Sequence, residues 1–157
     1  MWKKDGLMPQ SLSKILVHLV FSTKNRTRLI TPAIHDELCA YMVGILRDLQ
    51  CPSILTNCVE DHCHSIFLLS KNVALAKVVE DVKKGSSKWL RTKGREFADF
   101  HWQSGYGGFS VSQSCVDDVK AYIANQEERH RQMTFQDEFR AFLTKYEVEY
   151  DERYVWD

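Results

Sequence analysis

The chain has 157 residues, is 44% hydrophobic and 27% charged, and balances 21 basic against 21 acidic side chains. That length and composition fit one globular domain with a real core and exclude disordered and collagen-like classes. Zero net charge argues against a nucleic-acid binder that is basic all over, and no apolar run approaches the roughly 18 residues a membrane helix needs.

Residues 1–10 read as an irregular extension, with Met8 an alternative start. Ile15-Leu16-Val17-His18-Leu19-Val20-Phe21 is a strand. Thr31-Pro32 opens a helix, with Thr31 as N-cap and Pro32 at the first helical position. That helix runs to about Leu49, with Ile34, Leu38, Tyr41, Met42, Ile45 and Leu49 on its apolar face. Ser53 to Val59 reads as a second strand, Glu60-Asp61 as a turn and Cys63 to Ser70 as a third strand, a tight antiparallel hairpin. Asn72 is expected to cap a second helix from Val73 to about Arg91. Phe100 to Val111 reads as strand, glycine-rich bend, strand. A third helix spans about Cys115 to Arg131, capped by Ser112 or Ser114, and a last one Phe135 to Tyr146. No repeat or linker divides the chain, so residues 1–157 are one domain. The order β-α-β-β-α-β followed by helices predicts an α+β fold. It is a ferredoxin-like (RRM-like) antiparallel sheet with helices on one face, plus C-terminal helices.

Two features carry chemistry. His62 and His64 stand two apart at the head of the third strand and so share a face, while Cys63 turns to the other. Tyr122 and Gln126 are one helical turn apart. Two imidazoles, an amide oxygen and a phenol suit metal-assisted attack on a phosphodiester, with Mg²⁺ or Mn²⁺ the ions that accept oxygen ligands. A zinc site built on Cys58, His62 and His64 is also open, and it needs a fourth ligand that no other Cys or His supplies at suitable local spacing. The five cysteines are odd in number and form no C-x-x-C pair. With no signal peptide they read as reduced thiols of a cytoplasmic protein. The glycine-rich Gly105-Tyr106-Gly107-Gly108 lacks the lysine and spacing of a P-loop and fits a bend or a close backbone approach. Lys83, Lys84, Lys88, Arg91, Lys93 and Arg95 form a basic stretch compatible with anionic substrates, though such a stretch is also an ordinary solvated helix face.

Taken together, Gln10–Lys14 leading into Val17–Arg26, Glu60-Asp61-His62-Cys63-His64, Trp102–Val111 and Tyr122–Glu128 with His130 resemble the single-tyrosine HUH transposases of the insertion-sequence-200-like family. The similarity runs from Met8 to Asp157. It implies a small homodimeric transposase acting on single-stranded DNA that carries hairpins. Tyr122 would be the nucleophile, on the C-terminal helices, and His62, His64 and Gln126 would be the metal ligands. In such dimers the tyrosine helix of one protomer commonly serves the histidines of the other. The basic segment from Lys83 to Arg95 would supply a local DNA face. Cys63 departs from the larger aliphatic residue usual between the histidines, but it is small, apolar and readily buried. A non-catalytic hairpin-binding regulator of the same fold, or a ferredoxin-like domain binding a metal or small ligand, are the alternatives.

Overall fold

The structure, a computed structural model, describes residues 10–157. The expected irregular extension therefore lies, Gln10 apart, outside the described residues. Four strands, β1 (Ile15–Ser22), β2 (Ser53–Cys58), β3 (His62–Leu69) and β4 (Gly107–Val111), form one antiparallel sheet in the order β2-β3-β1-β4. This is the ferredoxin-like arrangement expected, with the histidine strand β3 in the interior of the sheet.

Helices α1 (Pro32–Asp48) and α2 (Leu75–Leu90) cover one face. There Val17, Leu19 and Phe21 of β1 and Cys63 and Phe67 of β3 pack with Leu38, Met42 and Leu46 of α1 and Val78, Val79 and Val82 of α2. The other face is also covered, which is why β1 reads as an unbroken apolar run rather than an alternating one. Helices α3 (Val116–Ala124), α4 (Gln126–Arg129) and α5 (Phe135–Lys145) follow β4. Phe135, Phe139 and Leu143 of α5 join Val20 and Phe109 in a second core. Burying each of these side chains contributes roughly 1.5–3 kcal/mol before ordering costs, enough to hold α5 over the sheet. Gly107 permits that approach, because a Cβ there would lie 2.7 Å from Phe139 Cε1.

Several boundaries differ from the sequence reading, each for a local reason. Asn72 does not cap α2. Its backbone N–H is taken by Ser70 Oγ at 3.2 Å in a turn, and the helix begins at Leu75. No strand forms at Phe100; Trp102 makes a single bridge to Thr23. The loop that follows is held by Lys83, whose ammonium donates to the carbonyls of Gln103, Ser104 and Gly105. Tyr41 is 39% exposed and stacks on Trp89, while Leu46 takes the buried position on α1. The third helix breaks at Asn125, where the backbone leaves helical geometry (φ −98°, ψ 21°). Beyond the break the Gln126 side-chain amide donates to the Tyr122 carbonyl at 3.2 Å.

Candidate metal centre and tyrosine

The alternation of β3 sends His62 and His64 to the face covered by the C-terminal helices, where both are fully buried. Cys63 turns to the opposite face and is joined by a disulfide to Cys58, its cross-strand partner on β2. The expectation of five reduced thiols is corrected here: the tight hairpin register sets these two side chains against each other. Cys58 lies in the core shared with α1 and α2, which removes it from any zinc set with the histidines. Cys39, Cys51 and Cys115 are free thiols.

Two further groups, which the sequence reading left without a role, meet the histidines. Glu138 arrives from α5 and His130 from the end of α4. Glu138 Oε1 lies 3.0 Å from His64 Nε2, 3.1 Å from His130 Nε2 and 3.4 Å from His62 Nε2. Gln126 Oε1 lies 2.9 Å from His130 Nε2 and 3.4 Å from His62 Nε2. The ligand atoms of His62, His64, His130 and Glu138 all fall within 4.8 Å of one another. Separations of about 3–3.4 Å are those of two ligands each roughly 2.1 Å from a shared ion, so the donor set fits a divalent metal.

Tyr122 completes the arrangement. Its hydroxyl donates to Glu138 Oε2, and the Arg129 guanidinium lies over its ring at 4.1 Å. Tyr122 and Gln126 do converge on the histidines, although the helix between them is broken. The backing of the histidines is equally ordered. His62 Nδ1 meets Asp61 Oδ1 at 2.7 Å, and His64 Nδ1 meets His18 Nε2 at 2.8 Å. His130 Nδ1 donates to the Met133 carbonyl at 2.7 Å. Such outward hydrogen bonds on metal-ligating imidazoles fix ring orientation and tautomer.

The electrostatics follow from burial and from one carboxylate. Burial lowers His18 to about 3, with the neighbouring His64 adding to it. Burial also lowers His64 to about 4, against the opposing pull of Glu138. Burial would lower His62 as well, but Asp61 and Glu138 outweigh it and raise its pKa. For Glu138, burial is overcome by hydrogen bonds from His130, His62 and His64, which hold the carboxyl well below its usual range. Burial and the Glu138 charge push the Tyr122 phenol above its ordinary value. A nucleophile in that state needs an acceptor for its proton.

The basic stretch lies elsewhere. Lys83, Lys84 and Lys88 are on α2, and Arg91, Lys93 and Arg95 follow it, so all belong to the side of the sheet away from the histidines. Lys83 is turned onto three loop carbonyls, Arg91 donates to the Phe100 carbonyl at 2.8 Å, and Lys93 pairs with Glu37 at 3.6 Å. Trp102 and Phe109 are buried, while Tyr106 is 37% exposed. Beside the histidines instead lies a cavity of about 1070 Å³, lined in part by Arg26, Arg28, Asn57, His130 and Arg131.

A signal for Glu138 existed in the sequence: an acid among Phe135, Phe139, Phe142 and Leu143 sits on the apolar stripe of its helix, where it needs partners. His18 carried none, because its contact with His64 depends on the pairing of β1 with β3 across 46 residues.

Comparison with known proteins agrees with this fold. Residues 11–126 match the transposase IS200-like family. No curated protein matches the sequence closely enough to count as a relative. Among solved structures, the fold is similar to that of a Deinococcus radiodurans R1 protein assigned as a transposase. The two share 19% identity at a TM-score of 0.59 over 76% of this chain and 98% of that one. It is also similar to a REP-associated tyrosine transposase bound to a REP hairpin, with 14% identity and a TM-score of 0.57 over 78% of this chain and 73% of that one.

Proposed function

The chain belongs to the IS200-like transposase family, and from that premise we propose that it cleaves and rejoins single-stranded DNA next to hairpins through a 5′-phosphotyrosine on Tyr122. One observation carries the reading. The Tyr122 hydroxyl is bonded to the same carboxylate on which three imidazoles converge, so the groups that would serve as nucleophile, proton acceptor and metal donors lie together. His62, His64 and Gln126 would hold a divalent ion, Mg²⁺ or Mn²⁺. When bound, such an ion withdraws charge from the scissile phosphate and orients it for in-line attack.

The residues of the chain supply the rest. Tyr122 gives its proton to Glu138, the acceptor it already faces, and its oxygen forms the bond to phosphorus. The bond from phosphorus to O3′ breaks, the electron pair stays on O3′, and that oxygen takes up a proton. A second 3′-hydroxyl then attacks the phosphotyrosine and regenerates the phenol, so joining consumes no nucleotide. Arg129 lies where it can face the added phosphate charge. Arg26, Arg28 and Arg131 border the cavity beside the site, among carboxylates that include Asp36, Glu60 and Asp137, and Arg28 and Arg131, paired with Glu60 and Glu128, would exchange those partners for phosphates of the strand. Lys84, Lys88 and Arg95, on the far side of the sheet, would meet phosphates of the hairpin stem.

The resemblance implies a homodimer. All the groups named here come from one chain, and we propose that Tyr122 serves its own histidines within it. Among the described residues no helix is long and apolar enough to cross a membrane, and a DNA substrate agrees with a cytoplasmic location. The test is incubation with a hairpin-bearing single strand and Mn²⁺. A covalent protein–DNA species on a denaturing gel, lost with chelator, is expected; hairpin binding without any adduct would favour a non-catalytic binder.

A further inference from the structure

We propose that His130 and Glu138 join His62, His64 and Gln126 as direct ligands, and that this mixed donor set selects a transition ion such as Mn²⁺ or Zn²⁺ over Mg²⁺. The proposal rests on the reading of His62 and His64 as metal ligands and extends it.

Hydrogen accounting carries the argument. A neutral imidazole has one N–H. His130 spends it on the Met133 carbonyl and His62 on the Asp61 carboxylate, both through Nδ1. His64 Nδ1 is likewise paired outward, with His18 Nε2. The neutral His62 and His130 rings then turn an Nε2 lone pair inward, and His64 does so in the tautomer that places its hydrogen on Nδ1. Those three nitrogens surround Glu138 Oε1 at 3.0–3.4 Å, and two of them face Gln126 Oε1 at 2.9 and 3.4 Å. Gln126 has turned its amide N–H₂ away, to the Tyr122 carbonyl. In that set of tautomers five acceptor atoms converge, relieved in the metal-free protein only where an added ring proton bonds to Glu138. Acceptors at these separations repel unless a cation lies among them. A single proton relieves one pair, whereas one divalent ion satisfies all five. Glu138 spans the two functions of the site, with Oε1 in this donor set and Oε2 on the Tyr122 hydroxyl.

The composition of the set decides the ion. Three of the five donors are imidazole nitrogens. Mg²⁺ demands oxygen ligands and gives up its waters reluctantly, whereas imidazole suits the later first-row ions. Because His130 and Glu138 come from α4 and α5, ion binding also ties the C-terminal segment to β3.

Calorimetric titration of the chelator-treated full chain tests this without recourse to activity. Mn²⁺ and Zn²⁺ should bind about 100-fold or more tightly than Mg²⁺. The variants His130→Ala and Glu138→Gln should each weaken Mn²⁺ binding about 10-fold or more, with the fold checked by circular dichroism. If His62→Ala abolishes Mn²⁺ binding while both of these variants bind as the parent does, the added ligands are wrong and the histidine pair stands. If His62→Ala also binds normally, the underlying site reading fails. Should either variant not fold, the parent protein still decides, because equal affinity for Mg²⁺ and Mn²⁺ overturns the proposal.

Discussion

Tyr122 donates its hydroxyl to Glu138, sixteen residues further on and on a different helix. This bond ties the proposed nucleophile to the carboxylate that also faces His62, His64 and His130. Glu138→Gln keeps the shape but removes the carboxylate that faces the Tyr122 hydroxyl. General-base catalysis contributes on the order of 10²–10⁴-fold, so adduct formation should slow by roughly 100-fold or more with hairpin affinity little changed. Adduct formation at the parental rate in single-turnover assays would remove Glu138 from the proton path.

The buried histidines make the metal-free protein acid-sensitive. His18 and His64 have folded pKa values lowered to about 3 and about 4. The unfolded chain therefore binds more protons than the folded one below the ordinary histidine value. Their penalty is absent at neutral pH and grows as pH falls from about 6.5 toward 4, by up to about 1.4 kcal/mol per pH unit for each histidine. His62, raised by its carboxylate partners, loses its contribution only as pH climbs above 6.5. Glu138 and Asp61, both lowered, lose theirs only below the ordinary carboxylate range. Urea melts at pH 7, 6 and 5 should show falling stability, with a shallower slope in His18→Asn. Flat stability across that window would contradict the assignment of buried neutral rings.

On the proposed reading that Tyr122 serves the histidines of its own chain, activity should not be shared between chains. Mixing His64→Ala with Tyr122→Phe protein should leave cleavage at the background of each. Recovery toward a quarter or more of parental activity, after demonstrated subunit exchange, would instead show that the tyrosine helix is exchanged between protomers as the family resemblance implies.

The Cys58–Cys63 bridge pins β2 to β3 beside both histidines. Thiol titration of protein denatured without reductant should find three reactive cysteines, Cys39, Cys51 and Cys115. Reduction should cost roughly 2 kcal/mol for so short a loop. Five titratable thiols would mean that the bridge does not form in solution.

Much of this molecule was legible because its signals are local. The apolar run of β1, the Thr31-Pro32 helix start and the Glu60-Asp61 turn each depend on a few adjacent residues, and the turn is what places His62 and His64 on one face. What escaped depends on distance along the chain. His18 reaches His64 only through the pairing of β1 with β3. Glu138 acquires its partners only when α5 docks on Val20 and Phe109. The break at Asn125 was hidden because the residues around it follow an acceptable helical pattern. The strand expected at Phe100 yielded to Phe100 and Trp102 packing in the core with Phe21.

The central claim is that the Tyr122 oxygen becomes covalently joined to DNA. Removing that oxygen leaves the ring and its T-shaped contact with Phe142 in place, so Tyr122→Phe should fold and bind a hairpin as the parent does. The most direct measurement is a denaturing gel of parent and variant with a labelled hairpin-bearing strand and Mn²⁺, followed by peptide mapping of any adduct. The account predicts an adduct in the parent that maps to Tyr122 and none in Tyr122→Phe. An adduct that persists in the variant, or that maps to another residue, would contradict it.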